Sequence, residues 1–290
     1  MEFHENVLKK LHKSSILVTD IANQFWCERQ MELNYLFGKK ETYAMRKGSQ
    51  MHEELQEEIY IPLIVEPVTY EDYMYKTGYE NYMSLRTLRT TGLCRELRLY
   101  GSLNGYRISG KIDELKMVDG KVVVKEVKTV DQNTKELNSV KTKPHSIQVM
   151  LYRKLLDDLK TKKYTGMNFE ASYKISKMKI SDTFQREILA LGIKNEYASI
   201  QEIFKLMFNE LYALPEISNV MELSYIDRFN GKERFNVKLN YDEQAASRDI
   251  IYAMHYWNGE RESVPVQEQE KWKCNVCKFF GKECTVWWNK

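Results

Sequence analysis

Apolar and polar residues recur with two different periods along this chain, and the switches between them mark out its elements. Helical spacing comes first: Thr19 or Asp20 suits an N-cap, Gly38 suits a stop, and the stretch between them to about Phe37 reads as a helix. A second helix is expected from Met45 to Ile59, where Gly48, His52, Leu55 and Ile59 share one stripe. Residues 62–91, rich in Tyr, Thr and Arg, carry a weaker pattern that fits a helical insertion. From Leu93 to Val130 the period drops to two, and Asn104-Gly105 and Asp119-Gly120 are hairpin turn pairs that divide this stretch into strands. A helix is then expected from Pro144 to about Leu159, and a strand from Met167 to Ser176. Helical periodicity resumes from Thr183 to Leu214 through Ile188, Leu191, Ile203, Met207 and Leu211, ended by Pro215. A hairpin around Asn230-Gly231 and a helix from Asp242 to Trp257, closed by Asn258-Gly259, precede a cysteine-rich tail. This order predicts an α/β fold with a mixed sheet. No repeat, low-complexity tract or Pro/Gly linker marks a cut, so 1–290 reads as one domain.

Composition narrows the class. Of 290 residues, 43% are apolar and 12% aromatic, enough for a substantial core. Charged residues make up 29% without blocks of one sign, which argues against disorder. No apolar run approaches the ~18 residues of a membrane span; the best, Tyr60 to Val65, is interrupted by Pro62. The start, Met1-Glu2-Phe3-His4-Glu5, lacks the basic-then-apolar order of a secretory signal. The expected setting is an intracellular, reducing compartment: cytoplasm in a prokaryote, nucleus or mitochondrion in a eukaryote. There, clustered cysteines read as metal ligands rather than disulfides. The net charge of +3 neither demands nor excludes a nucleic-acid partner, because partners read local patches.

The sharpest chemistry lies in Gly110-Lys111-Ile112-Asp113 and Glu126-Val127-Lys128. Side chains alternate across a strand, so Val122, Val124, Glu126 and Lys128 share a face that begins as core and ends in a carboxylate and an ammonium. Charges that continue an apolar face are costly to desolvate unless paired or bound to metal. Asp113 sits on the preceding strand. Tyr106, Ile108 and Ile112 keep one alternation phase while Leu115 and Met117 keep the other, which predicts a bulge or bend beside Asp113. Two carboxylates from adjacent strands can hold a hard cation such as magnesium, with Lys128 orienting a water or a phosphate; a solvated cross-strand ion pair is the plainer alternative. His52 can add a ligand, or be an ordinary core histidine, and Gly48 on the same stripe would admit another backbone closely. Gln148 and Tyr152 share an apolar helix face with Leu151, Leu155 and Leu159, so their polar groups need partners, either backbone or substrate phosphate.

The ordered set Gly48-x-x-x-His52, Gly110-x-x-Asp113, Glu126-x-Lys128 and Gln148-x-x-x-Tyr152 resembles the RecB-like branch of the PD-(D/E)xK nuclease superfamily. The resemblance covers roughly Thr19 to Tyr152 and resumes at the tail. It implies a restriction-endonuclease-like core, about residues 44–176, with a mixed central sheet flanked by helices. Helical and hairpin additions would fill about 177–262, and cluster segments 18–38 and 263–290. It further implies that His52, Asp113, Glu126 and the main-chain carbonyl of Val127 hold the catalytic Mg or Mn ion. Lys128 would be the catalytic lysine, with Gln148 and Tyr152 fixing substrate.

Cys274-x2-Cys277-x6-Cys284 supplies three soft ligands for zinc or an iron–sulfur cluster, with Cys27 or Cys94 to complete the set. Cys94, beside Leu93 at a strand start, also reads as an ordinary buried thiol. With Phe25-Trp26-Cys27-Glu28 and Val18-Thr19-Asp20, the tail is similar to the iron–sulfur nucleases, most of all the exonuclease V family, with CRISPR-associated RecB-like nucleases second. That likeness implies a 4Fe-4S cluster on Cys27, Cys274, Cys277 and Cys284, a staple joining the two ends of the chain. It implies a DNA exonuclease acting on single-stranded DNA or DNA ends. The alternative is a non-catalytic iron–sulfur DNA-binding or assembly subunit. Lys271, Lys273, Lys278 and Lys282 interleave with Trp272, Phe279, Phe280, Trp287 and Trp288, which suits stacked single strands or, equally, packing around the metal site. Lys135, Lys141 and Lys143, then Arg86 and Arg89, are further candidate phosphate contacts.

Overall fold

The computed structural model describes residues 6–59, 63–194 and 197–287, so the first five residues, Pro62 and Trp288 lie outside the described residues. A short helix α1 (Val7–Lys10) and a two-residue strand β1 (Ile16–Leu17) lead into α2 (Val18–Leu36), α3 (Tyr43–Glu57) and α4 (Tyr70–Thr91). A three-strand meander follows: β2 (Leu93–Leu103), β3 (Tyr106–Val118) and β4 (Lys121–Val130). Next come α5 (Ser139–Lys160), α6 (Gly166–Tyr173), α7 (Asp182–Ala190) and α8 (Ile200–Tyr212). The hairpin β5 (Val220–Asp227) and β6 (Glu233–Asn240), then α9 (Glu243–Trp257), complete the order before the cysteine-rich tail. The fold is α/β, with a mixed central sheet flanked by helices.

The sheet has six strands. β2 runs antiparallel to β3 along the whole of one edge, from Leu93 opposite Lys116 to Leu103 opposite Tyr106. The other edge of β3 is therefore shared: β1 pairs with Ile108 and Ser109 in parallel, and β4 pairs with Glu114 to Val118 antiparallel. Residues 110–113 of β3 fall between these two partners. β4 pairs in parallel with β5, so the Asn230-Gly231 hairpin extends the same sheet. Ile108, Ile112, Leu115, Val122 and Leu223 put the core on the sheet, under Val149, Leu151 and Leu155 of α5. α2 packs on α5, and α4 on α8.

Several elements differ from the sequence expectation for identifiable reasons. α5 starts at Ser139 rather than Pro144, because the Asn138 side chain caps it by accepting from the Val140 and Lys141 amides. The strand expected over 167–176 is instead α6 and a short 3-10 turn, Ile175–Lys177. Thr165 and Asn168 form a capping box there, and Phe169 is buried while Met167 is exposed. The pattern over 183–214 divides into α7 and α8 at Gly192, whose φ of +83° is left-handed. The weak stretch resolves as α4, capped by a Thr69–Asp72 box.

α2 breaks at Cys27, whose backbone is extended (φ −167°, ψ 108°). One stripe of this helix, Gln24, Glu28 and Glu32, is buried and polar. Glu28 binds the Arg261 guanidinium and accepts from the Val264 amide at 2.7 Å. Glu32 binds Ser263 and Tyr256, and Gln24 accepts from the Trp257 indole at 3.0 Å. The two ends of the chain are thus sewn together by a fully paired polar seam as well as by whatever the cysteines hold. Cys94, away from this seam, is 1% exposed, and burial pushes its thiol pKa up to about 12. Native protein treated with iodoacetamide at pH 8 should leave Cys94 unmodified, and denatured protein should be modified there, as peptide mass mapping would read. Modification at equal rates in both states would contradict this packing.

Candidate metal centre and cysteine cage

β3 and β4 part company at the residues that carry the charge. Their last pair is Glu114 with Lys125, so Asp113 and Glu126, next in register, stand where the ladder has opened. Asp113 fills the opening by accepting from the Val127 amide at 2.7 Å. In an extended strand a residue's N–H and C=O point to the same side, so the Val127 carbonyl faces this opening too. α3 brings His52 to the same place, with Nδ1 3.6 Å from Asp113 Oδ1 and 3.0 Å from Glu96 Oε1. The expected bulge beside Asp113 takes another form. Residue count is conserved on both sides, Arg95 opposite Glu114 and Leu97 opposite Ile112, and the irregularity is in β2, where Glu96 has φ +57°. For a non-glycine residue, that conformation costs on the order of 1 kcal/mol or more.

Glu126 is completely buried. One of its oxygens accepts from the Lys128 ammonium, and the other, Oε2, has no hydrogen-bond partner among the described residues. Burial first, then the charge on Asp113, pushes its pKa well above the usual carboxylate range, while Lys128 pulls the other way. For Lys128, burial opposes the charge, but Glu126 and Asp113 outweigh it and hold the ammonium protonated. On the helix side, Gln148 donates to the Tyr152 hydroxyl at 3.3 Å, and both are buried. Burial and the charges of Glu126 and Asp113 raise the Tyr152 pKa well above that of a free phenol, so it stays a neutral donor. An orphan carboxylate oxygen beside a second carboxylate, with an imidazole and a carbonyl facing the same opening, is a donor set that fits a hard divalent cation.

All six sequence-predicted side chains of this group converge. The tightest ligand triple is nevertheless His52, Glu96 and Asp113, whose donor atoms lie within 4.8 Å of one another, with Glu126 beside it. Glu96 escaped the sequence reading; its one signal is an acid amid the Leu93–Leu103 strand pattern. His145 was missed as well. It lies beside Lys128, bonded through Nδ1 to the Tyr225 hydroxyl at 3.0 Å, and burial and the Lys128 charge lower its pKa to about 3. The glycine roles also shift. A Cβ on Gly48 would meet only Thr129 Oγ1 at 3.6 Å, whereas one on Gly110 would lie 2.5 Å from Tyr152 and 2.9 Å from Val18.

Cys27, Cys274, Cys277 and Cys284 line one cavity, with Trp26, Val266 and Phe280 around them, while Cys94 lies elsewhere in the core. Burial, then the neighbouring thiols, raises the pKa of Cys274; burial leads at Cys27 as well. Much of the tail's cation–aromatic interleaving is internal packing. Lys273 is buried against Trp26 and pairs with Glu270, Lys278 binds the Gly38 carbonyl, and Trp272 meets Trp26 edge-on. Arg89 pairs with Glu210 and Lys143 with Asp249. Lys141 lines an open groove of about 640 Å³ between α2 and α5, with Trp26, Asn34, Lys39, Lys128 and Gln148. No described helix is long and apolar enough to cross a membrane.

The family profile described as "Exonuclease V - a 5′ deoxyribonuclease" matches residues 6–119, 116–196 and 192–288. An exonuclease V from Danio rerio is 25% identical over 299 residues, covering 95% of this chain and 72% of the relative. Among solved structures, SSO0001 aligns with a TM-score of 0.39 at 15% identity over 94% of this chain and 91% of its own. An inferred exonuclease from Eubacterium rectale aligns at 0.39 and 12% identity over 92% and 89%.

The crowding at Gly110 yields a paired expectation. Gly110→Ala must displace Tyr152 or Val18, at a cost of about 1–3 kcal/mol. Gly48→Ala, in a helix with room for the methyl, should stabilise by up to about 1 kcal/mol. Urea unfolding midpoints of the two variants check this; equal shifts of the same sign would contradict the packing.

Proposed function

Because the chain belongs to the exonuclease V family, we propose that it is a metal-dependent 5′ deoxyribonuclease that digests single-stranded DNA from an end. The observation that carries the metal dependence is the orphan Oε2 of fully buried Glu126 beside Asp113. Mg or Mn held by His52, Asp113, Glu126 and the Val127 carbonyl would polarise the scissile phosphate and acidify a bound water. The residues of the chain do the rest. Lys128, kept protonated by the two carboxylates, lies where it can orient the attacking water and offset charge on the phosphate. Tyr152 and Gln148 are neutral donors suited to phosphate oxygens. The strand pair that delivers Asp113, Glu126 and Lys128, with α5 across it, supports a PD-(D/E)xK core.

The groove between α2 and α5 supports a single-strand substrate. It ends at Lys128 and Gln148, and along it Lys39 and Lys141 can neutralise phosphates while Trp26 offers a surface for a base. At the break in the middle of α2, Cys27 and the three tail cysteines line one cavity, a set of four soft donors that fits a 4Fe-4S cluster. A cluster spreads its thiolates around several irons. Its role here is structural: held at Cys27, it fixes the neighbouring Trp26 in the wall of the groove.

Asp113→Ala should slow digestion of 5′-labelled single strands about 10³-fold or more, the scale of losing a transition-state electrostatic partner, with DNA binding by gel shift retained. Undiminished Mg-dependent digestion would sink the site. The purified protein should be brown, with broad absorbance near ~400 nm; stoichiometric zinc without that band would sink the cluster.

A further inference from the structure

The carboxylates at the parting of β3 and β4 outnumber those of the Asp113, Glu126-x-Lys128 pattern. Glu96 enters from β2, opposite Asp113, at the one position where the β2–β3 ladder omits a pair. Its Oε2 rests on the Lys111 ammonium at 2.5 Å, and its Oε1 turns inward to His52 at 3.0 Å. An octahedral cation with bonds of ~2.1 Å holds neighbouring ligands ~3.0 Å apart and opposite ones ~4.2 Å apart. The His52–Glu96 and His52–Asp113 separations, 3.0 and 3.6 Å, lie in or near that range. A second observation, next to Asp113, asks for positive charge: Glu126 Oε2, on a completely buried residue, has no hydrogen-bond partner among the described residues.

We infer that Glu96 is a further ligand of the divalent cation, reaching it through Oε1 from the β2 side. This rests on the metal-dependent reading of the site. The left-handed backbone at Glu96 is what turns its side chain toward the face shared with His52, and Lys111 neutralises the oxygen that does not reach the ion. With Glu96 included, the ion meets three carboxylates, an imidazole and a carbonyl. A third carboxylate favours hard cations over zinc.

The test is titration of Mn²⁺ into the full chain, followed by loss of the free-ion EPR signal, for wild type, Glu96→Gln, Glu96→Gly and Asp113→Ala. Gln keeps a hydrogen-bond acceptor for His52 but removes the anionic ligand, so a residue that merely positioned His52 would leave affinity unchanged. Gly accepts the positive φ without strain, so that variant should melt no lower than wild type. We expect Asp113→Ala to lose the site, and both Glu96 variants to bind Mn²⁺ at least about 10-fold more weakly. Wild-type affinity in both Glu96 variants, with binding lost in Asp113→Ala, would overturn the role of Glu96 and leave the metal centre standing. Wild-type affinity in Asp113→Ala would overturn the metal centre itself, and the ligand role with it.

Discussion

The structure turns on two carboxylates set side by side at the buried end of a strand. Unit charges ~4 Å apart in a medium of effective dielectric ~20 repel by about 4 kcal/mol, so a fold that places Asp113 next to completely buried Glu126 has to offset that repulsion. Lys128 offsets part of it, and the Val127 amide takes one Asp113 oxygen. Among the described residues, one Glu126 oxygen still has no partner. The neighbouring geometry follows from this constraint. β3 and β4 separate after Glu114 and Lys125, which frees the Val127 N–H and C=O from the ladder, and β1 takes over the edge of β3 farther along.

The helices are arranged around that opening. α5 lies so close to β3 that Gly110 has no room for a side chain beside Tyr152, and this contact seats a neutral phenol next to the charged pair. α2 contacts the same glycine through Val18, so the site's floor and the wall of the groove share one packing point. The far end of α2 is fixed by the Gln24–Glu28–Glu32 seam and by the break that turns Cys27 toward the tail cysteines. This buried seam, with its own partners, holds the junction through hydrogen bonds.

Much of this was legible in the sequence because it rests on local rules. Asn104-Gly105 and Asp119-Gly120 do form the hairpin turns, with positive φ at all four residues, and the Glu126–Lys128 alternation does run from core to charge. His52, Asp113, Glu126, Lys128, Gln148 and Tyr152 converge as the ordered motifs imply, and Cys27 rather than Cys94 joins the tail cysteines. The failures arise where tertiary packing overrides local pattern. Phe169, Tyr173 and Ile175 alternate like a strand, but Thr165 caps a helix there and Phe169 packs on Phe204 and Phe208. Glu96 was invisible because its role comes from a left-handed backbone and from residues brought across two strands and a helix. Of the two readings open for the tail's lysines, internal packing holds for Lys273 and Lys278.

The central claim is that the opening between β3 and β4 is built to hold a divalent cation against Asp113 and Glu126. Crystals of the full chain soaked in Mn²⁺, with diffraction collected above the manganese edge, test it most directly. The account predicts an anomalous peak in the opening, bounded by His52, Asp113, Glu126 and the Val127 carbonyl, with Glu126 Oε2 engaged. Manganese bound elsewhere, with this opening empty and the Glu126 oxygen still unpartnered, would contradict it.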